Sequence, residues 1–444
     1  MTGSEVRYHC CRQIRWMLAA ATLLFWSSAL PADRLQDLLQ PLEGASVLLL
    51  DPDGQSVISI EADRALIPAS TMKLVLSLLA LEHWGANHRF ETRFRLDDES
   101  RLWVIGQGDP FLVSEEIATI AKVLAGCFNK SDANVCSGSP AGAVVKELAA
   151  DNSYFSVTGD NPWLADSDNP YDALPDALSA NFNTVNLQLQ AGVLISGEVQ
   201  TPLTPVAKSR ANEVGFLADG PDNKGRFNLG PVSSGRAALN FLQILEFLLK
   251  EHSGESLSFP LALTTSPGVA SAANDLYVHK NSRTLAEVLE AMLLYSTNFI
   301  ANQLSLALSA ELHAKPGTFR GFDQVAATQM KAIPDWDTAV VKDGAGLSRD
   351  NRITTRQLIA VLNRLQPWHA LLPQYRDNVF AKTGSLEGVS SLAGIIHPDA
   401  PSSAGQAGGG WRFALILNDP KISDAKLRDA VLDELQRVVN QGGQ

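Results

Sequence analysis

The sequence predicts an α/β, multi-domain fold, and three observations carry that expectation. Strand-like runs occur near both ends of the 444-residue chain, at 45–50 and 55–60 and again at 378–382, 389–396 and 411–417. Helical patterns fill the stretch between 284 and 365. Before that block, 91–275 holds short strand-like runs in a background rich in Pro, Asn, Asp and Gly. A sheet completed by distant parts of the chain is therefore expected. Residues 33–90 and 276–444 would form one discontinuous domain, and 91–275 a large, mostly β insert.

Residues 1–32 read as a secretory leader. Arg7, Arg12 and Arg15 precede the apolar run 16–26, and small residues follow to Ala29 and Ala32. That run is too short to span a bilayer comfortably. Cleavage and export to the periplasm are expected, with no transmembrane anchor left behind. Cys10 and Cys11 would leave with the leader. Cys127 and Cys136 remain in a loop-like stretch, where an oxidising compartment would close them into a disulfide; two free thiols are the alternative. Without the leader the formal charge moves from −12 to about −14. An acidic chain with no basic run is a poor partner for nucleic acid or anionic lipid. The eight histidines are scattered with no zinc-like spacing, so no metal or cofactor is expected.

In chain order, 45–50 and 55–60 flank Asp51-Pro52-Asp53-Gly54 as a hairpin. The segment 67–81 follows. Pro68 is placed to open a helix, and everything from Met72 to Leu81 except Lys73 and Ser77 is apolar, the mark of a buried helix. Runs 90–96 and 102–105 read as strands. They end in Gly106-Gln107-Gly108-Asp109-Pro110, which lacks the third glycine and the helix of a nucleotide site. Residues 113–126 are helical by pattern. Within the insert, 184–190, 193–199 and 227–230 read as strands and 237–250 as a helix. Helical patterns then recur at 284–294, 299–312, 322–332 and 354–365, with a turn at Asp343-Gly344-Ala345-Gly346. The chain closes at 424–440 as a helix with Leu427, Val431, Leu435 and Val438 on one face.

The chemistry starts at Ser70. In the first turn of a helix its hydroxyl meets the positive end of the dipole, which favours a developing oxyanion. Lys73, three residues on, shares its face. A lysine in so apolar a segment is costly to keep charged, and desolvation lowers its pKa. Serine beside a lysine that releases its proton makes a nucleophile. The same S-x-x-K spacing recurs at Ser423-Asp424-Ala425-Lys426 on a solvated helix, so Ser70 needs support from elsewhere. Lys382-Thr383-Gly384-Ser385 supplies some. Lys382 is out of character in a buried strand unless it faces a cleft, where it and Thr383 would hold a carboxylate. Gly384 would let a substrate backbone approach the strand edge. A third element, S-x-N, occurs at Ser167-Asp168-Asn169, Ser179-Ala180-Asn181 and Ser296-Thr297-Asn298. The first is set in a turn-forming loop and the second in the same Asn-rich region. The third lies at a helix junction that could be held rigidly over a cleft, so Ser296 and Asn298 are selected.

S-x-x-K, S-x-N and K-T-G in this order resemble the active-site set of penicillin-recognising serine acyltransferases. More closely, the chain resembles the class C low-molecular-mass penicillin-binding proteins, the D-alanyl-D-alanine carboxypeptidase/endopeptidases. The resemblance runs from about Ser46 to the C-terminus. Besides the three motifs it includes Gly106 to Pro110, Asp151 to Phe155, Leu178 to Asn183 and Asp343 to Arg349. A large insert after the first motif is part of that family's pattern. Thr297 stands where an acidic residue is common, Gln107 where glycine is usual, and the Cys127 to Cys136 loop looks like an addition.

The resemblance implies a penicillin-binding/β-lactamase-like domain, an antiparallel sheet flanked by helices with an all-helical part. It implies cleavage of peptidoglycan stem peptides through an acyl-enzyme, with β-lactams as inhibitors. Ser70 would be the nucleophile and Lys73 its base. Ser296 would relay a proton to the leaving amine, ordered by Asn298. Lys382 and Thr383 would hold the substrate carboxylate, and the backbone N–H groups of Ser70 and Ser385 would form the oxyanion hole. A serine β-lactamase or esterase of the same fold, and a catalytically silent wall-binding protein, are the other readings.

Overall fold

Alternation along the strands decides what each face of the main sheet meets. The computed structural model describes residues 31–129, 136, 145–157, 163, 167–218, 220–231, 235–253, 262–265, 275–399 and 410–442. The leader expected at 1–32, as far as residue 30, and residues 405–409 of the glycine-rich stretch before Trp411 lie outside the described residues. β1 (Gly44–Leu50) and β2 (Ser56–Ile60) come from the start of the chain. β11 (Gln374–Arg376), β12 (Val379–Leu386), β13 (Val389–Ile396) and β14 (Trp411–Asn418) come from its end. Together they form one antiparallel sheet in the order β11-β12-β13-β14-β1-β2. Its closing pair, β1 with β14, runs in register from Gly44↔Asn418 to Leu50↔Arg412.

Both faces of this sheet are covered, which is why its central strands read as nearly continuous apolar runs. Leu48, Ala393, Ala414 and Ile416 point into one core. Val47, Leu49, Leu392, Phe413, Leu415 and Leu417 point into another. The second core is closed by α1 (Pro31–Leu39) and α10 (Lys426–Gly442), through Leu35, Leu39, Val431, Leu432, Leu435 and Val439. The first is closed by five helices: α2 (Met72–Trp84), α6 (Leu285–Tyr295), α7 (Asn298–Leu312), α8 (Phe319–Gln329) and α9 (Thr355–Arg364). α2 is buried from Met72 to Leu81 without interruption. Thr284 and Thr354 start α6 and α9 with reciprocal capping boxes to Glu287 and Gln357.

The stretch between α2 and α6 builds two further sheets. β3 (Glu91–Leu96), β4 (Arg101–Ile105), β5 (Glu147–Asp151), β9 (Ala262–Thr265) and β10 (Tyr277–Lys280) lie in the order β10-β3-β4-β5-β9. α3 (Ser114–Asn129) and α5 (Arg236–Ser253) pack on this sheet through Ile117, Ile120, Leu124, Phe241, Leu245 and Leu249. β6 (Thr184–Gln190), β7 (Val193–Ser196) and β8 (Asn223–Asn228) make a small sheet around Leu187 and Phe216, beside α4 (Pro205–Glu213).

Several of these elements depart from the expected pattern. β5, β9 and α4 were not foreseen: β5 is alanine-rich, β9 spans four residues, and α4 is charged and polar with little apolar face. β8 begins at Asn223 rather than 227. β10 was assigned by composition to the domain starting at 276, yet it pairs with β3 from Tyr277↔Phe94 to Lys280↔Glu91. Four residues containing His and Lys carry no strand signal of their own. Cys127, in the last turn of α3, is bonded to Cys136 with Cα atoms 5.9 Å apart; residues 130–135 between them lie outside the described residues.

Candidate active site

The turn that carries Ser70 is wedged between α2 and the main sheet. Ala69–Thr71 is a short 3-10 turn that runs into α2 at Met72, so Ser70 precedes the α-helix instead of lying within it. Ala69 takes a positive φ of 48°, a conformation that costs a non-glycine residue energy and persists only where surroundings impose it. Those surroundings are visible. The Pro68 carbonyl accepts hydrogen bonds from Thr71 Oγ1 at 2.7 Å and from Ser391 Oγ of β13 at 2.6 Å. Gly384 of β12 passes so close that a Cβ there would lie 2.7 Å from the Pro68 carbonyl oxygen and 2.9 Å from the Ser70 nitrogen.

Lys73 is wholly buried while Ser70 stays partly exposed. Its Nζ donates to Ser70 Oγ at 3.0 Å, to Asn298 Oδ1 at 2.9 Å and to the Ala345 carbonyl at 2.8 Å. All three ammonium protons thus have acceptors. Once one proton is lost, N–H bonds to Asn298 and Ala345 would leave the lone pair aimed at the serine hydroxyl. Burial, and after it the Lys382 ammonium, hold the Lys73 pKa well below the usual lysine range, with Asp343 acting in the opposite sense.

Strand parity brings Lys382 to the same place. It shares the face of Phe380 and pairs with Ala393, so it points toward the helical layer. It is 1 % exposed, and its Nζ donates to Ser296 Oγ at 2.9 Å and to the Thr383 carbonyl at 2.8 Å. Burial, followed by the nearby Arg428 guanidinium, pushes its pKa down to about 8. Thr383 is half-buried, Gly384 is buried and Ser385 is exposed. Ser296 ends α6 in a left-handed conformation, φ 54°. Asn298 begins α7, and its Nδ2 also donates to the Tyr171 carbonyl at 3.3 Å.

Ser70, Lys73, Ser296, Asn298 and Lys382 therefore meet, although they come from three separate parts of the chain. The other two S-x-N triplets do other work. Asp168 pairs with Arg210. Ser179 Oγ donates to the Asp176 carbonyl at 2.8 Å, and Asn181 binds Ser114. Sequence reasoning missed two contributors, the Ala345 carbonyl and Ser391. A backbone carbonyl has no residue signature; the only signal for Ser391 was a serine pair inside an otherwise apolar strand. Among the described residues there is no cluster of His, Cys, Asp or Glu able to hold a metal ion, and no helix long and apolar enough to cross a membrane.

A buried amine aimed at a half-exposed serine, with a second cation on the neighbouring strand, is suited to acyl transfer from a substrate that ends in a carboxylate. Comparison with known proteins points the same way. The family model for D-Ala-D-Ala carboxypeptidase 3 (S13) matches residues 33–213 and 232–439. The D-alanyl-D-alanine carboxypeptidase of Actinomadura sp. (strain R39) is 26% identical over 428 residues, covering 80% of this chain and 76% of its own. The penicillin-sensitive carboxypeptidase A of Dictyostelium discoideum is 23% identical over 454 residues, 86% of this chain and 83% of its own. Among solved structures, penicillin binding protein 4 (dacB) from Haemophilus influenzae superposes with a TM-score of 0.69 at 19% identity. It covers 92% of this chain and 99% of its own, a likeness of fold.

Proposed function

The chain belongs to the D-Ala-D-Ala carboxypeptidase 3 (S13) family, and on that premise we propose that it is a serine-type D-Ala-D-Ala carboxypeptidase and/or endopeptidase acting on peptidoglycan stem peptides. The observation that carries this reading is the three-way contact of Lys73 Nζ with Ser70 Oγ, Asn298 Oδ1 and the Ala345 carbonyl. It supports Lys73 as the base and Ser70 as the nucleophile.

In the proposed cycle the deprotonated form of Lys73, favoured by burial, takes the Ser70 proton as Oγ attacks the carbonyl of the penultimate D-alanine. The backbone N–H groups of Ser70 and Ser385 face the developing oxyanion. Lys382 and Thr383 hold the terminal carboxylate. The tetrahedral intermediate collapses with cleavage of the C–N bond, and the proton on Lys73 reaches the leaving amine through Ser296. Water then attacks the Ser70 ester and gives up its proton to Lys73; as the C–O bond to Ser70 breaks, Lys73 returns that proton to Oγ, leaving the free serine and the shortened acid. Past Ala381, whose N–H donates to the Pro373 carbonyl at 2.9 Å, the outer edge of β12 has no partner strand among the described residues, leaving room for an extended peptide beside Thr383 to Ser385.

A β-lactam ring presents the same amide and carboxylate, so acylation of Ser70 by penicillin belongs to this reading. The H. influenzae protein has been solved with a β-lactam. Export to the periplasm rests on the leader-like residues 1–32. The division into a catalytic part from 33–90 and 276–444 around the 91–275 insert is part of the proposal as well.

Mass analysis of purified muropeptides after incubation tests the function. Loss of a terminal alanine or severing of a cross-link supports it. Unchanged muropeptides with rapid turnover of nitrocefin would assign the site to a β-lactamase instead.

A further inference from the structure

Asp343 carries an inference that the motif residues do not, and it rests on the reading of Lys73 as the base. Its carboxylate is fully buried. Oδ1 accepts from the backbone N–H groups of Gly346 at 2.6 Å and Leu347 at 3.0 Å. Oδ2 accepts from the Ser348 N–H at 2.8 Å and from Asn351 Nδ2 at 3.0 Å. Among the described residues no ammonium or guanidinium pairs with it, so four neutral donors hold a buried anion. Such a group is costly to keep unless it organises something. Here it winds 343–348 around itself.

The winding has a direction. Between Asp343 and the first residue that binds it lies Ala345, whose carbonyl accepts from Lys73 Nζ at 2.8 Å and from Ser70 Oγ at 3.3 Å. Gly346, at φ 82°, is pressed against the nucleophile's turn: a Cβ there would lie 1.9 Å from the Ala69 carbonyl oxygen and 3.0 Å from the Ser70 nitrogen. Gly344 backs onto Ser305 and Leu76 in the same way. Asn351 locks the other end, donating to Asp343 while its Oδ1 accepts from the Lys342 N–H at 2.7 Å.

We propose that Asp343 is a positioning residue of the acylation step: its carboxylate shapes segment 343–348 so that the Ala345 carbonyl fixes one N–H of Lys73 and aims the amine at Ser70, while its charge opposes that of Lys382. The charged groups that act on Lys73 are Lys382 from β12 and Asp343 from this segment; Ser70 and Asn298, which touch it, are neutral. A merely structural carboxylate would set stability without touching the pH dependence of acylation.

The test is the second-order rate of labelling by fluorescent penicillin, followed from pH 5 to 9 in the full chain, with melting temperatures in parallel. Asp343→Asn removes the charge. The rate plateau is expected to fall about tenfold to a hundredfold through misaimed Lys73. The limb at which Lys73 loses its proton is expected to move to lower pH, because an anion that favoured the ammonium is gone. Asn351→Ala keeps the charge and loosens its seat, so a lowered plateau with an unmoved limb is expected there, and it serves if the first variant does not fold. A wild-type plateau and limb in either variant, with the fold intact, overturns the proposal. Wild-type labelling of Lys73→Met would instead overturn the assignment of the base, leaving the two failures distinguishable.

Discussion

Lys382 Nζ donates to Ser296 Oγ across 2.9 Å, although 86 residues separate them. One sits on a strand of the main sheet and the other on a left-handed residue between two helices, so this contact ties the sheet to the helical layer. The Lys382 ammonium is thereby held by one hydroxyl and the Thr383 backbone carbonyl, with no carboxylate paired to it among the described residues.

Lys382, with its pKa near 8, makes substrate affinity pH-dependent. On the proposed reading the side chain below that pH is an ammonium that would attract the terminal carboxylate, and above it a neutral amine that would not. KM for a D-Ala-D-Ala peptide is expected to rise as pH passes from about 7 to 9, by about tenfold. A peptide with an amidated C-terminus should show no such rise. Steady-state kinetics on the two peptides check this.

Lys73→Met removes the proposed base without adding bulk. Acylation by penicillin is expected to fall by at least about a thousandfold, while melting temperature holds or rises, since a buried polar group has been replaced by an apolar one. Stopped-flow labelling measures the first and calorimetry the second.

Gly384→Ala places a methyl group 2.3 Å from Ser391 Oγ and 2.7 Å from the Pro68 carbonyl oxygen. Overpacking of this kind costs about 1–3 kcal/mol, and here the strain falls on the turn that presents Ser70. A lower melting temperature together with slower acylation is expected. A stability loss with unchanged acylation would detach the sheet from the nucleophile's placement.

Asp109 is buried in the turn after β4, its two oxygens bound by Asn281, and burial raises its pKa to about 6. The proton is bound more tightly in the folded chain than in the unfolded one, so the stabilisation is complete below about pH 4 and is lost as pH rises to about 6. The raised value corresponds to at most about 3 kcal/mol. Asp109→Asn should lack that slope. Urea melts of both proteins between pH 4 and 7 compare the two.

Much of the arrangement around Ser70 was legible because it rests on strong local patterns. The apolar run after Lys73 fixed α2, and the mismatch of Lys382 with an apolar strand pointed to a cleft. The choice of Ser296 over Ser167 came from helix context, since Ser167-Asp168-Asn169 is the tighter literal match. The 3-10 geometry at Ser70 was not legible, because it follows from the sheet pressing on Pro68 and Ala69. Nor was the set of contacts around Asp343, which looked like an ordinary turn residue; its partners are backbone N–H groups and an asparagine eight residues away. β5, β9 and β10 are too short, or too weakly patterned, to announce themselves outside their sheet.

The central claim is an ester on one oxygen. Intact-mass measurement after brief exposure to benzylpenicillin, followed by peptide mapping, tests it most directly. The account requires one adduct of the antibiotic's mass on the peptide containing Ser70, and none in Ser70→Ala. An adduct on any other residue, or undiminished D-alanine release by Ser70→Ala, would contradict it.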